Sequence, residues 1–287
     1  MRRRARGNRS GRQRAADARP AEFRGVRMVA AAEAAATRSL PYDAVFFDLY
    51  GTLVDIRTDE GMPAAWNALA TAIGTADPTS PYRAAEDARD AFECAMALHE
   101  PAAPGPDYEP DVLPAYRALL PGLSGAEGDR AARALAWTFR RASTLLLRLY
   151  PGARDLLSSL RGAGVRVVLL SNAQSCYTRP ELASLRLVGA FDRMIISSEE
   201  GVRKPSPLLF RRALALEGLN DHPNRALMVG NDIRCDILGA RAVGMDAVYV
   251  HTAISPAGDP PTCPEAALSL PGEPNPDYHI LKKRFLT

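Results

Sequence analysis

The chain has 287 residues, 47% of them hydrophobic and 24% charged, the proportions of a globular protein and not of a disordered or fibrous one. No run approaches the roughly 18 uninterrupted apolar residues that a membrane span requires; even Val29–Ala36 is broken by Glu33. The net charge of +3 is uneven, because residues 1–28 hold ten Arg against Asp17 and Glu22, which leaves the remainder at −5 and confines any nucleic-acid contact to that leader.

Residues 1–40 are rich in Arg and Ala and too poor in large apolar residues to build a core, so they are expected to be disordered. The composition also fits a transit peptide, or a translated stretch ahead of a start at Met28. From Ala44 onward, short β-branched and aromatic runs end in polar or Gly-bearing loops: Ala44–Phe47, Val165–Leu170, Met194–Ser197, Ala226–Val229 and Ala247–Val250. Near-continuous apolar strands of this kind are buried on both faces. Helical periodicity over Gly152–Arg161, Leu208–Glu217 and Ile233–Val243 alternates with them, which predicts an α/β fold with a Rossmann-like parallel sheet in residues 41–56 and 149–252.

One interval breaks the alternation. Residues 57–148 carry helical stretches at Ala65–Ile73, Tyr82–Leu98, Val112–Leu120 and Ala126–Leu147 around the Pro/Gly-rich Pro101–Pro110. They predict an inserted α-helical cap domain over the carboxyl end of the first strand, where ligands bind in open α/β sheets. Residues 253–287 follow, and Ser255–Asp277, with seven of the 23 prolines, is expected as an extended surface tail. The four cysteines (Cys94, Cys176, Cys235, Cys263) are scattered, with no CxxC pair and no His at zinc-ligand spacing. A reduced, cytoplasmic setting is the expectation.

The chemistry-bearing residues recur at strand ends. Asp48 is released from Ala44–Phe47 into the turn Leu49-Tyr50-Gly51-Thr52; Ser171-Asn172 follows the second strand; Lys204, one of only three lysines, follows the third between Arg203 and Pro205; and Gly230-Asn231-Asp232, with Asp236, follows the fourth. A carboxylate released from an apolar strand is poorly explained by packing. Arg140 and Arg141 close the insertion and are candidates for binding an anionic substrate.

In order and residue type this set resembles the haloacid dehalogenase-like (HAD) superfamily of hydrolases, whose motifs are a nucleophilic Asp, a Ser or Thr, a Lys and an acidic pair. The resemblance covers about residues 43–252 and implies a helical cap between the first two motifs. It implies catalytic roles for Asp48, Tyr50, Ser171 and Lys204, with Thr52 and Asn172 as substrate-binding candidates beside Arg140 and Arg141. It also implies a Mg²⁺ site formed by Asp48, the carbonyl of Tyr50, Asp232 and, through a water, Asp236. The activity implied is phosphate-ester hydrolysis of a small phosphorylated metabolite through an aspartyl-phosphate.

The sequence departs from that pattern at Tyr50, where phosphatases of the family carry a second Asp as general acid and base. Tyr at this position is typical of the family's metal-independent 2-haloacid dehalogenases, which also carry a Ser-Asn pair in the fourth motif and a Tyr six residues after the Lys. Asn231-Asp232 and Phe210 stand there instead. A dehalogenase, and a HAD-fold binding protein with little turnover, are the alternative readings.

Overall fold

The computed structural model describes residues 42–272 and 275–286; the leader expected to be disordered lies outside them. The chain begins with β1 (Ala44–Phe47) and β2 (Val54–Thr58), then α1 (Pro63–Ala76), α2 (Ala85–His99), α3 (Leu113–Ala118), α4 (Gly125–Ser143) and β3 (Thr144–Leu149). It continues through α5 (Ala153–Gly162), β4 (Arg166–Ser171), α6 (Ser175–Ser184), β5 (Arg193–Ile196), α7 (Pro207–Leu216) and β6 (Ala226–Gly230). The π-helical turn α8 (Ile233–Leu238), β7 (Asp246–His251), β8 (Leu268–Pro271) and α9 (Tyr278–Leu286) complete it.

The sheet runs β5-β4-β1-β6-β7-β8, with every neighbouring pair parallel. Alternation along the strands sorts side chains to two faces. Val45, Phe47, Val167, Leu169 and Val229 pack with Leu156 and Leu160 of α5 on one face. Phe46, Val168, Leu170 and Met228 pack with Leu209 and Phe210 of α7 on the other. From β1 the chain proceeds outward to β4 and β5, then returns to the opposite side of β1 for β6, β7 and β8. The carboxyl end of β1 is therefore the topological switch point, where loops on either side diverge and leave a crevice.

Helices α1–α4 enclose a separate apolar cluster around Ala65, Trp66, Leu69, Tyr116, Leu135 and Phe139, joined by Cys176 and Tyr177 of α6. The antiparallel pair β2/β3 carries the chain into and out of this unit. The helix expected over Ala126–Leu147 stops at Ser143. The hydroxyls of Ser143 and Thr144 both bond back to the Arg140 carbonyl, at 3.1 and 2.6 Å, and such local bonds compete with helix continuation. Residues Thr144–Leu149 then pair with Val54–Thr58, with Arg148 on Asp55 at 2.7 Å.

The stretch expected as an extended surface tail is instead built into the fold. β8 extends the sheet in register Val248↔Leu268 to His251↔Pro271, and Leu270, Tyr278 and Leu281 are buried in the core beneath α5. Pro256, Pro260, Pro261 and Pro264 lie in the connection between β7 and β8, and Pro271 ends β8. Among the described residues no helix is long and apolar enough to cross a membrane.

Candidate active site

Four strands deliver one side chain each to the crevice. Asp48 leaves β1, Ser171 ends β4, Lys204 follows β5 and Asp232 follows β6. Lys204 lies at the centre and is 2% exposed. Its Nζ donates to Asp48 Oδ1 at 2.7 Å, to Asp236 Oδ1 at 2.6 Å and to the Leu170 carbonyl at 2.8 Å. All three ammonium protons are thus matched to oxygens, the condition for holding a buried charge. Burial opposes that charge, but Asp236 and Asp48 more than offset it and hold the Lys204 pKa above its ordinary value. Asp236 is pushed above the usual carboxylate range by burial, against the pull of Lys204 and with the like charge of Asp48 adding to the rise.

Hydroxyls flank the nucleophile position. Ser171 Oγ donates to Asp48 Oδ1 at 3.4 Å and Thr52 Oγ1 to Asp48 Oδ2 at 3.3 Å. The turn that carries Asp48 and Thr52 requires glycine at 51, where φ is +83° and a Cβ would lie 2.0 Å from the Asn231 amide nitrogen. Gly230 is required by close approach, since a Cβ there would lie 2.2 Å from Asp236 Oδ2. A cavity of about 190 Å³ opens over this group, bordered by Asp48, Tyr50, Lys204, Asn231, Asp232 and Cys235.

Several expected residues do something other than foreseen. Asp236 has Oδ1 on Lys204 and Oδ2 accepting from the Asp232 amide at 3.1 Å, so its carboxylate holds the lysine while it also lines the cavity. Asp232 caps α8, accepting from Cys235 N at 2.7 Å through Oδ1. Asn172 does not face substrate with its amide: it accepts from Lys204 N at 2.8 Å and donates to Lys204 O at 2.9 Å. Arg140 and Arg141 part company, because adjacent helical residues point about 100° apart. Arg140 is buried, whereas Arg141 is exposed and borders neither cavity at the site.

The hydroxyl of Tyr50 is committed to α6. It donates to Glu181 and shares a 3.0 Å bond with Thr178, and burial together with the Glu181 charge lifts its pKa well above the ordinary value. Glu181 in turn receives Arg140 Nε at 2.6 Å, while Arg140 Nη1 reaches Glu60 at 2.9 Å. The guanidinium lies 5.0 Å from the Tyr177 ring. A second cavity, of about 310 Å³, lies against this network and shares Tyr50 and Asn172 with the first. Sequence reasoning missed Glu60, Thr178, Tyr177 and Glu181; the last three stand on α6, whose internal Pro180 disguises a helix.

The donor chemistry of the first cavity suits a hard divalent cation. Its lining carries the Asp48, Asp232 and Asp236 carboxylates and the Asn231 amide beside the Cys235 thiol, and three carboxylates against one ammonium leave an excess of negative charge. Among the described residues no group of three or more His, Cys, Asp or Glu is arranged to hold a metal ion. A cation here would rest on two carboxylates, main chain and water, a common set for Mg²⁺.

Residues 42–244 match the haloacid dehalogenase-like hydrolases, and the chain belongs to that family. A glyceraldehyde 3-phosphate phosphatase of Pyrococcus abyssi is 30% identical over 205 residues, 71% of this chain and 79% of the relative. A phosphoserine phosphatase of Thermus thermophilus is 36% identical over 150 residues, 52% of this chain and 58% of the relative. The chain thus spans little more than half the length of that relative. The structure of a HAD phosphatase from Thermococcus onnurineus shares the fold, with a TM-score of 0.50 at 22% identity over 84% of this chain and 96% of that one.

Proposed function

We propose that the chain is a Mg²⁺-dependent phosphatase of a small phosphorylated metabolite, acting through an aspartyl-phosphate on Asp48. The observation that carries this reading is the buried Lys204 ammonium bridging Asp48 and Asp236, with Asp232 beside them in one cavity. Phosphoryl transfer needs an in-line nucleophile and dense positive charge around the equatorial oxygens. Asp48 supplies the nucleophile and Lys204 a fixed cation. The Ser171 and Thr52 hydroxyls border the nucleophile and can turn toward phosphate oxygens. Asp48, Asp232 and the Tyr50 carbonyl would hold Mg²⁺, which when bound neutralises developing charge on the phosphoryl group. The phosphatase names of the two relatives support the same class.

Tyr50 favours the dehalogenase as a second reading, but the carboxylates oppose it. A 2-haloacid anion entering the cavity would meet Asp48, Asp232 and Asp236 against a single ammonium. The test measures p-nitrophenyl phosphate hydrolysis and halide release from 2-chloropropionate, each with EDTA and with Mg²⁺. Phosphate release that EDTA stops and Mg²⁺ restores is expected, and Asp48→Asn should abolish it while the melting curve is kept. Halide release that persists in EDTA would overturn the assignment.

A further inference from the structure

The second cavity has a wall composition that selects a substrate. Its surface is formed by the rings of Trp66, Phe92, Phe139, Tyr177 and Tyr50, with Glu60, Arg140, Asn172 and Gln174 as the polar members. Nearly all of that polarity is already spent. Trp66 Nε1 donates to the Glu60 carbonyl at 2.9 Å, and the Tyr177 hydroxyl is paired with that of Tyr116 at 2.6 Å. Gln174 donates to Glu109 and Pro110 and accepts from Val112 N. Asn172 is closed on Lys204 and Tyr50 on α6. What remains toward a ligand is one edge of the Arg140 guanidinium, whose Nη2 has no hydrogen-bond partner among the described residues, and one oxygen of Glu60.

A leaving group rich in hydroxyls or charges would give up its water here and regain few hydrogen bonds, a costly exchange. A flat ring exchanges water for aromatic contact and gains. Glu60 and Glu181 against Arg140 also leave the chamber net negative, which disfavours a second carboxylate or phosphate. Its volume of about 310 Å³ lies at the small end for ligand pockets and suits a single ring on a short arm.

We propose that this chamber is the leaving-group subsite and selects phosphate monoesters that carry one uncharged aromatic ring. The inference rests on the phosphatase reading for its chemistry but not for its binding. Benzyl and ethyl phosphate leave as alkoxides of similar basicity, so the ratio of their kcat/KM values in Mg²⁺ reads ring recognition free of leaving-group reactivity. Burying a phenyl ring predicts roughly a ten- to hundredfold preference for benzyl phosphate, with phosphoglycolate poorer than ethyl phosphate. Phe92→Leu should collapse the benzyl-to-ethyl ratio toward unity. A wild-type ratio below about threefold, or phosphoglycolate as the best of the three, would overturn the proposal whether or not the variant folds. Calorimetric binding of benzylphosphonate and ethylphosphonate is the arm independent of turnover. Tenfold tighter benzylphosphonate binding without hydrolysis of any ester retires the phosphatase reading and keeps the subsite; hydrolysis without ring preference does the reverse.

Discussion

Both ends of the Asn172 amide close on the main chain of one residue, the N–H and C=O of Lys204. The lysine that the site depends on is therefore held at its backbone by β4, as well as at its ammonium by Asp48 and Asp236. Asn172→Ala should lower kcat by about 10- to 100-fold, since misplacement of a catalytic group by an ångström costs on that order. Stability should fall by only about 1–3 kcal/mol for the lost bonds. Steady-state kinetics beside a thermal melt checks this, and unchanged kcat would show that the clamp does not set the lysine's position. Asp48, Ser171, Lys204 and Asp232 were legible in the sequence because each follows an apolar run, and strand ends of a parallel sheet converge. What the sequence concealed were partners chosen in three dimensions. Tyr50 was legible as an anomaly, yet Glu181, 131 positions away, decides where its hydroxyl goes.

At the scale of elements, five of the six strands of the parallel sheet were visible as apolar runs, and three features were not. α6 carries a proline in its interior. β3 continues a helical pattern without a break, and pairing with β2, beside the Ser143 and Thr144 bonds to the Arg140 carbonyl, makes it a strand. β8 and α9 follow proline-rich sequence, and among their apolar residues Leu270, Tyr278 and Leu281 turn inward while Ile280 stays exposed. That last error has a measurable consequence. Tyr278 is buried beneath α5 and its hydroxyl donates to the Thr52 carbonyl, in the turn that follows Asp48. Truncation before residue 275 would expose the cavity left by Tyr278 and Leu281, a loss of about 3–6 kcal/mol at 1.5–3 kcal/mol per large buried side chain. Against a total of roughly 5–15 kcal/mol, the truncated chain should melt far lower or fail to fold, which urea unfolding followed by circular dichroism would measure. An unchanged midpoint would restore the segment to the status of a tail.

Across the whole molecule, buried phenols are distributed so that alkali should act on the fold as a unit. Burial raises the pKa of Tyr50, Tyr116, Tyr177 and Tyr278, with Glu181 adding to the first and the Tyr116–Tyr177 pairing adding to the second. The native protein therefore keeps these protons at a pH where the unfolded chain, with ordinary phenols near pH 10, has lost them. In that window the native state binds more protons, so stability falls as pH rises. The contribution is fully present below about pH 10 and disappears above it. Tyr50, Tyr116 and Tyr177 lie where the helical unit meets α6, and Tyr278 lies in the sheet core, so both regions should lose stability together. Thermal melts should be nearly level from neutral pH to about 9 and drop steeply beyond 10. Tyrosinate absorbance in the near ultraviolet should rise in two phases, the exposed phenols first and the buried ones only with loss of circular dichroism. Complete phenol titration with native circular dichroism intact would show that these hydroxyls reach solvent without unfolding, and would remove burial as the source of their raised pKa values.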